Sequence, residues 1–137
     1  MIVVDTNVLA YAAIPGQSTP NALAALARDP EWVAPALWRS EIRNVLVLEI
    51  RFRGMPLGDA LAAFGEAEAL VTEPDFPVDT AKVLALAGAS GASAYDCEFV
   101  ALAEELGVPL VTADRRLAER FPAIAVELRR FGVGDAS

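Results

Sequence analysis

Residues 2–9, Ile2-Val3-Val4-Asp5-Thr6-Asn7-Val8-Leu9, read as a buried strand that runs through a polar turn into a helix. The first three residues are all β-branched and apolar, with no polar alternation. That is the pattern of a strand covered on both faces, as in a parallel sheet. Asp5, Thr6 and Asn7 supply cap and turn chemistry, and the helix that follows, Val8 to Ile14, is stopped by Pro15-Gly16. The same design recurs late in the chain. Pro109 to Thr112 is an apolar strand, and Asp114 opens a short helix to Arg120.

Between these two units the chain alternates strand and helix signals. Pro20 to Arg28 fits a helix with Thr19 as N-cap, Trp32-Val33-Ala34 a short strand, and Pro35 to Arg53 a long helix closed by Gly54. Leu57 to Leu70 is a further helix, and Val71 begins a loop through Pro74 and Pro77. Asp79 caps a helix from Thr80 to Ala89, residues 88–93 form a flexible link, and Ala94 to Leu106 is an amphipathic helix ending at Gly107. Ile124 to Leu128 reads as a last edge strand, and the tail after Gly132 as frayed. This alternation predicts an α/β domain, a parallel sheet with helices on both faces, spanning residues 1–137 as one unit. Sites in such sheets form at the carboxyl ends of the strands. Asp5 and Asp114 both lie there, and they face one crevice if their strands are neighbours.

Composition narrows the chemistry. The chain has no histidine, which removes Ser-His-Asp and Cys-His catalysis and most zinc sites. The single cysteine, Cys97, excludes an internal disulfide and suggests a reducing, cytoplasmic home. No stretch is long and apolar enough to span a membrane, and residues 1–4 read as a first strand rather than a signal peptide. A net charge of −8 argues at first sight against nucleic acid. The objection weakens if several acids gather around divalent ions.

Four acids stand out. Asp5 and Asp114 follow apolar strands, and each has a plain structural alternative as a helix N-cap. Glu41 lies within the apolar stripe of its helix, Leu37, Trp38, Ile42, Val45 and Leu48. A carboxylate there is costly unless paired or metal-bound; the alternative is a glutamate at the stripe's edge reaching water or Arg43. Asn44, one turn on, suits a polar neighbour. Asp96 falls on the face formed by Phe99, Val100, Ala103 and Leu106, and its alternative is a first-turn Asp with Ser93 as cap. The case rests on the combination. Two carboxylates ~5 Å apart at an effective dielectric of ~20 repel by about 3 kcal/mol, so a fold that collects four of them needs a cation. All-oxygen ligation suits Mg²⁺ or Mn²⁺, which hold phosphates and activate water for in-line attack.

These stretches resemble the PIN-domain ribonucleases and, within them, the VapC-like toxins of toxin–antitoxin pairs. The resemblance is carried by Val4-Asp5-Thr6-Asn7-Val8-Leu9, residues 35–46 around Glu41, residues 93–103 around Asp96, and Pro109-Leu110-Val111-Thr112-Ala113-Asp114. It implies a three-layer α/β/α sandwich around a short, mostly parallel sheet. It also implies an endoribonuclease dependent on one or two Mg²⁺ or Mn²⁺ ions, held by Asp5, Glu41, Asp96 and Asp114, which would also be the catalytic residues. Thr112 would support the site, with Thr6, Asn7 and Asn44 as polar neighbours. The implied partners are RNA, a homodimer mate and a small antitoxin protein. Some members carry a further acid shortly after the last Asp, where this chain has Arg115 and Arg116, so a second ion is in doubt.

Arg115 and Arg116 adjoin Asp114 and are candidate substrate contacts; Arg39, Arg43, Arg51 and Arg53 are further candidates, and each has the alternative of a solvated surface charge. Glu98 either approaches the site or belongs to a solvated face with Glu105. Rival functions remain open at this point. A small phosphatase using an aspartyl-phosphate would want a second Asp where Asn7 stands. A PIN-like binding module without catalysis, and an RNA-processing nuclease without an antitoxin, are the others.

Overall fold

The computed structural model describes residues 1–133. Its elements, in chain order, are β1 (Ile2–Val4), α1 (Thr6–Ala13), α2 (Thr19–Arg28), β2 (Trp32–Pro35), α3 (Leu37–Arg53), α4 (Leu57–Leu70), β3 (Val71–Phe76), α5 (Thr80–Ser90), α6 (Ala94–Leu106), β4 (Leu110–Thr112), α7 (Arg115–Arg120), β5 (Ala125–Glu127) and α8 (Leu128–Gly132).

The five strands form one sheet in the order β3-β2-β1-β4-β5, and every pairing is parallel. β1 is central. The chain steps from β1 to β2 on one side and later to β4 on the other, so the sheet reverses its winding at β1. Parallel α/β sheets open a crevice at the carboxyl ends of the strands at such a point. Val3 pairs with Leu110 and Val4 with Val111, which sets the residues just after β1 beside those just after β4.

All residues of β1, β2 and β4 are buried, as their unbroken apolar runs require of a sheet covered on both faces. α6 lies against β1, β2 and β4, with α5 packed on it; α1 packs against α2, α3 and α4, and α8 against α2. α6 owes this central place to a buried run, Phe99 to Ala103. Trp38 on α3 stacks on Phe64 of α4 with ring centroids 5.7 Å apart, and Arg28 on α2 bonds the carbonyl of Phe131 on α8 at 2.8 Å.

The structure corrects the sequence reading at several points. Ser18 rather than Thr19 is the N-cap of α2, Pro35 belongs to β2 rather than to the long helix, and α5 runs on to Ser90, into the stretch read as a link. Residues 71–76, expected to be loop, form the edge strand β3. Its pairing with β2 is irregular, with register shifts, and Asp75 sits at φ 63°, a left-handed conformation that Asp tolerates. Pro74 and Pro77 hid this strand, because proline is admitted at sheet edges. After β5, residues 128–132 form a short helix where the sequence suggested only the end of a strand. The tail read as frayed lies mostly outside the described residues.

Candidate active site

Asp5 leaves β1 and serves as N-cap of α1, with Oδ1 accepting from the Val8 amide at 3.1 Å. Its other oxygen accepts from the hydroxyl of Thr112, at the end of β4, and from the Ala113 amide at 3.3 Å. Asp5 is thus a buried carboxylate, 9% exposed, held by three donors, one from α1 and two from the end of β4. Burial pushes it up to about 6, with the charge of Asp114 adding to the rise and the three donors opposing it.

Asp114 caps α7: its Oδ1 accepts from the amides of Arg116 at 2.9 Å and Leu117 at 3.2 Å. Its own amide donates to Thr112 Oγ1 at 2.9 Å, so one threonine positions both acids. Glu41 enters from α3, where Thr6 Oγ1 donates to its Oε1 at 2.7 Å. Asp96 enters from the first turn of α6, whose cap is Ser93 Oγ accepting from the Asp96 amide at 3.0 Å. Burial raises Asp96, and Asp114 raises it further.

These four acids line one cleft of about 400 Å³ at the carboxyl end of the sheet. Thr6, Asn7 and Asn44 line it too, while Thr112 lies just beneath, fully buried. Among the described residues no Lys or Arg lines the cleft. Both structural alternatives raised for Asp5 and Asp114 hold as geometry: each is an N-cap, and each also opens into the cleft. At Asp114 the two roles do not compete, because the cap uses Oδ1 and leaves Oδ2; at Asp5 the cap uses Oδ1, and Oδ2 accepts from Thr112 and Ala113.

Arg115 and Arg116 are exposed on α7 and do not line the cleft, and Arg115 pairs with Glu119 at 3.1 Å. Arg39 is held by Glu68 at 2.7 Å and Asp75 at 2.9 Å. Ser40 and Tyr95 line the cleft without having been singled out in the sequence. Ser40 could have been found from its place beside Glu41 and four residues before Asn44, on the same face of the helix. Tyr95 is exposed and gave no burial signal. Glu98 does not line the cleft, but burial and then the charge of Glu41 raise it, so it lies within electrostatic reach of the group.

The donor set fits a hard divalent cation: four carboxylates, flanked by amides and hydroxyls, with no nitrogen or sulfur ligand. Among the described residues no three acidic groups are already arranged to hold an ion. Ions of the Mg²⁺ class keep several waters and need few direct carboxylate contacts, so a shared cleft meets the requirement without a closed cage.

Comparison with known proteins agrees with this architecture. A family model described as PIN domain matches residues 2–121. Ribonuclease VapC3 of Pyrobaculum aerophilum is 32% identical over 127 residues, which is 90% of this chain and 96% of the relative. The fold is similar to the crystal structure of PAE2754 from Pyrobaculum aerophilum, with a TM-score of 0.74 at 23% identity, covering 98% of this chain and 96% of that one.

Proposed function

Since this chain belongs to the PIN domain family, we propose that it is a divalent-metal-dependent endoribonuclease and the toxin of a toxin–antitoxin pair. The observation that carries the proposal is the cleft itself, where four carboxylates from the end of β1, α3, α6 and the end of β4 meet with no basic residue lining it among the described residues. The relationship to a protein named Ribonuclease VapC3 supports RNA as the substrate.

Asp5, Glu41, Asp96 and Asp114 would hold Mg²⁺ or Mn²⁺. When bound, such an ion supplies Lewis-acid stabilisation of the scissile phosphate and lowers the pKa of water for in-line attack. The chain's own contribution is orientation. Thr112 and two amides fix Asp5, the α7 amides fix one oxygen of Asp114 and leave the other to the cleft, and Thr6 fixes one oxygen of Glu41 in the same way. Burial raises the proton affinity of Asp5, and a cation bound beside it would offset that rise. Attack by water leaves a 5′-phosphate and a 3′-hydroxyl, whereas a 2′,3′-cyclic phosphate would mean attack by the ribose and would overturn this mechanism.

A cleft this acidic is also a receptor for a guanidinium. An antitoxin arginine placed there would exclude ion and RNA together. The apolar content of the chain, 55%, is in keeping with surface covered by an antitoxin and by a second copy.

The test compares wild type with Asp96→Asn on total cellular RNA, in Mg²⁺ or chelator. Cleavage at discrete sites only by wild type, and only with metal, is expected. No cleavage, together with no metal-dependent thermal shift, would turn the reading toward a binding module.

A further inference from the structure

Three grooves on this molecule adjoin one another in sequence. The acidic cleft shares Asn7 and Val45 with a second groove of about 310 Å³, and that groove shares Tyr11 and Ser18 with a third of about 180 Å³. Charge changes from one to the next. Among the described residues the cleft is lined by four carboxylates and no Lys or Arg, the second groove pairs Glu49 with Arg53 at 3.7 Å, and Glu127 and Arg129 both line the third. Tyr11 stands where the second and third grooves meet. It is half-buried, and its side-chain hydroxyl makes no hydrogen bond among the described residues. The wall beside it is preformed: Thr19 Oγ1 donates to the Tyr11 carbonyl at 2.7 Å and accepts from the Gly16 amide at 2.9 Å, which ties the turn after α1 to the start of α2.

Resting on the ribonuclease reading, we propose that single-stranded RNA leaves the cleft through these two grooves, and that Tyr11 is a substrate-binding residue for nucleotides flanking the scissile phosphate. The path leads the strand away from the concentrated negative charge into surroundings where each acid is matched by an arginine. An aromatic ring with an unused hydroxyl serves a base and a ribose together, as single-strand recognition requires. Ser18 and Gln17 add polar groups, which suit a nucleotide better than the apolar face of a protein helix.

The experiment uses purified full-length protein with Mg²⁺ and RNA oligonucleotides built on a cleavage site mapped in total RNA, shortened stepwise on either side. For wild type, KM should fall about tenfold as flanking nucleotides are added on one side only. Tyr11→Ala should abolish that gain, raising KM for the long substrate about tenfold with kcat within about twofold, and leave the shortest substrate unaffected. Gln17→Trp, in an exposed turn, fills the second groove without touching the core and should have the same effect even where Tyr11→Ala is unstable. If wild type cuts and Gln17→Trp handles long and short substrates as wild type does, the proposal is overturned, and the grooves are left to a protein segment. If wild type cuts no RNA, the ribonuclease reading falls and this path falls with it.

Discussion

Thr112 and Asp5 lie 107 residues apart in the chain, and the hydroxyl of one donates to the buried carboxylate of the other across the β4–β1 pairing. The same Thr112 oxygen accepts from the Asp114 amide. Removing it should therefore act on two acids at once. Thr112→Val keeps the shape but leaves Asp5 short of a donor, at a cost of about 1.5–3 kcal/mol for a bond to a charged group. We expect urea unfolding at pH 7.5 to show that loss, and the acid limb of the pH–activity profile to move to higher pH. Thr112→Ser should restore most of both. Unchanged stability and profile in Thr112→Val would mean that Asp5 does not depend on this hydroxyl.

The metal-free protein should lose stability as pH rises from about 4 to about 6. Asp5 is pushed up to about 6, chiefly by burial, from an ordinary 3.8. The folded state therefore holds this proton where the unfolded chain has released it, so folding is favoured below the window and disfavoured above it. The gap corresponds to roughly 3 kcal/mol at 1.36 kcal/mol per pH unit. Asp96, also raised, acts in the same direction. Urea unfolding in chelator should show the slope in wild type and a shallower one in Asp5→Asn. Added Mg²⁺ should stabilise wild type at pH 7.5 and much less at pH 5, because a carboxylate must be deprotonated to bind. A wild-type stability that climbs between pH 4.5 and 6.5 in chelator would contradict the raised proton affinity of Asp5.

Arg39 should prove structural. Its guanidinium joins Glu68 on α4 to Asp75 on β3, and it lies over the Trp38 ring at 4.8 Å. The pairs are partly exposed, so Arg39→Ala should cost only about 1 kcal/mol in denaturant unfolding. RNA cleavage should stay within about twofold of wild type. A large rise in KM with unchanged stability would instead return Arg39 to the substrate.

What could be read from the sequence follows from how local each signal is. β1 and the strand before Asp114 were legible because unbroken β-branched or apolar runs have one economical use in an α/β chain. Glu41 was legible because it breaks an apolar stripe. β3 was not, because an edge strand with two nearby prolines and a left-handed Asp75 carries the local signature of a loop, and only its partner β2 makes it a strand. The tie between Thr6 and Glu41 was also out of reach: 35 residues separate them, and no local pattern marks which hydroxyl meets which carboxylate. The grooves shared through Asn7 and Tyr11 belong to the packing of α1 against its neighbours and have no trace in composition or periodicity.

Asp114 offers a way to separate folding from chemistry within one residue. As N-cap of α7 it accepts two amide hydrogen bonds through Oδ1, and it opens into the cleft with the other three acids. Asparagine keeps an oxygen for the cap but removes the charge; alanine removes both. Asp114→Asn should unfold within a few tenths of a kcal/mol of wild type, and Asp114→Ala about 1 kcal/mol earlier. Both should lose RNA cleavage by roughly 10²-fold or more, since the electrostatic role of the carboxylate is gone in each. Asp114→Asn should also relieve Asp5 and Asp96, whose proton affinities Asp114 raises, so the pH dependence of stability in chelator should flatten in that variant. Cleavage retained by Asp114→Asn and lost only by Asp114→Ala would assign this residue to the cap alone and leave Asp5, Glu41 and Asp96 as the metal-binding set.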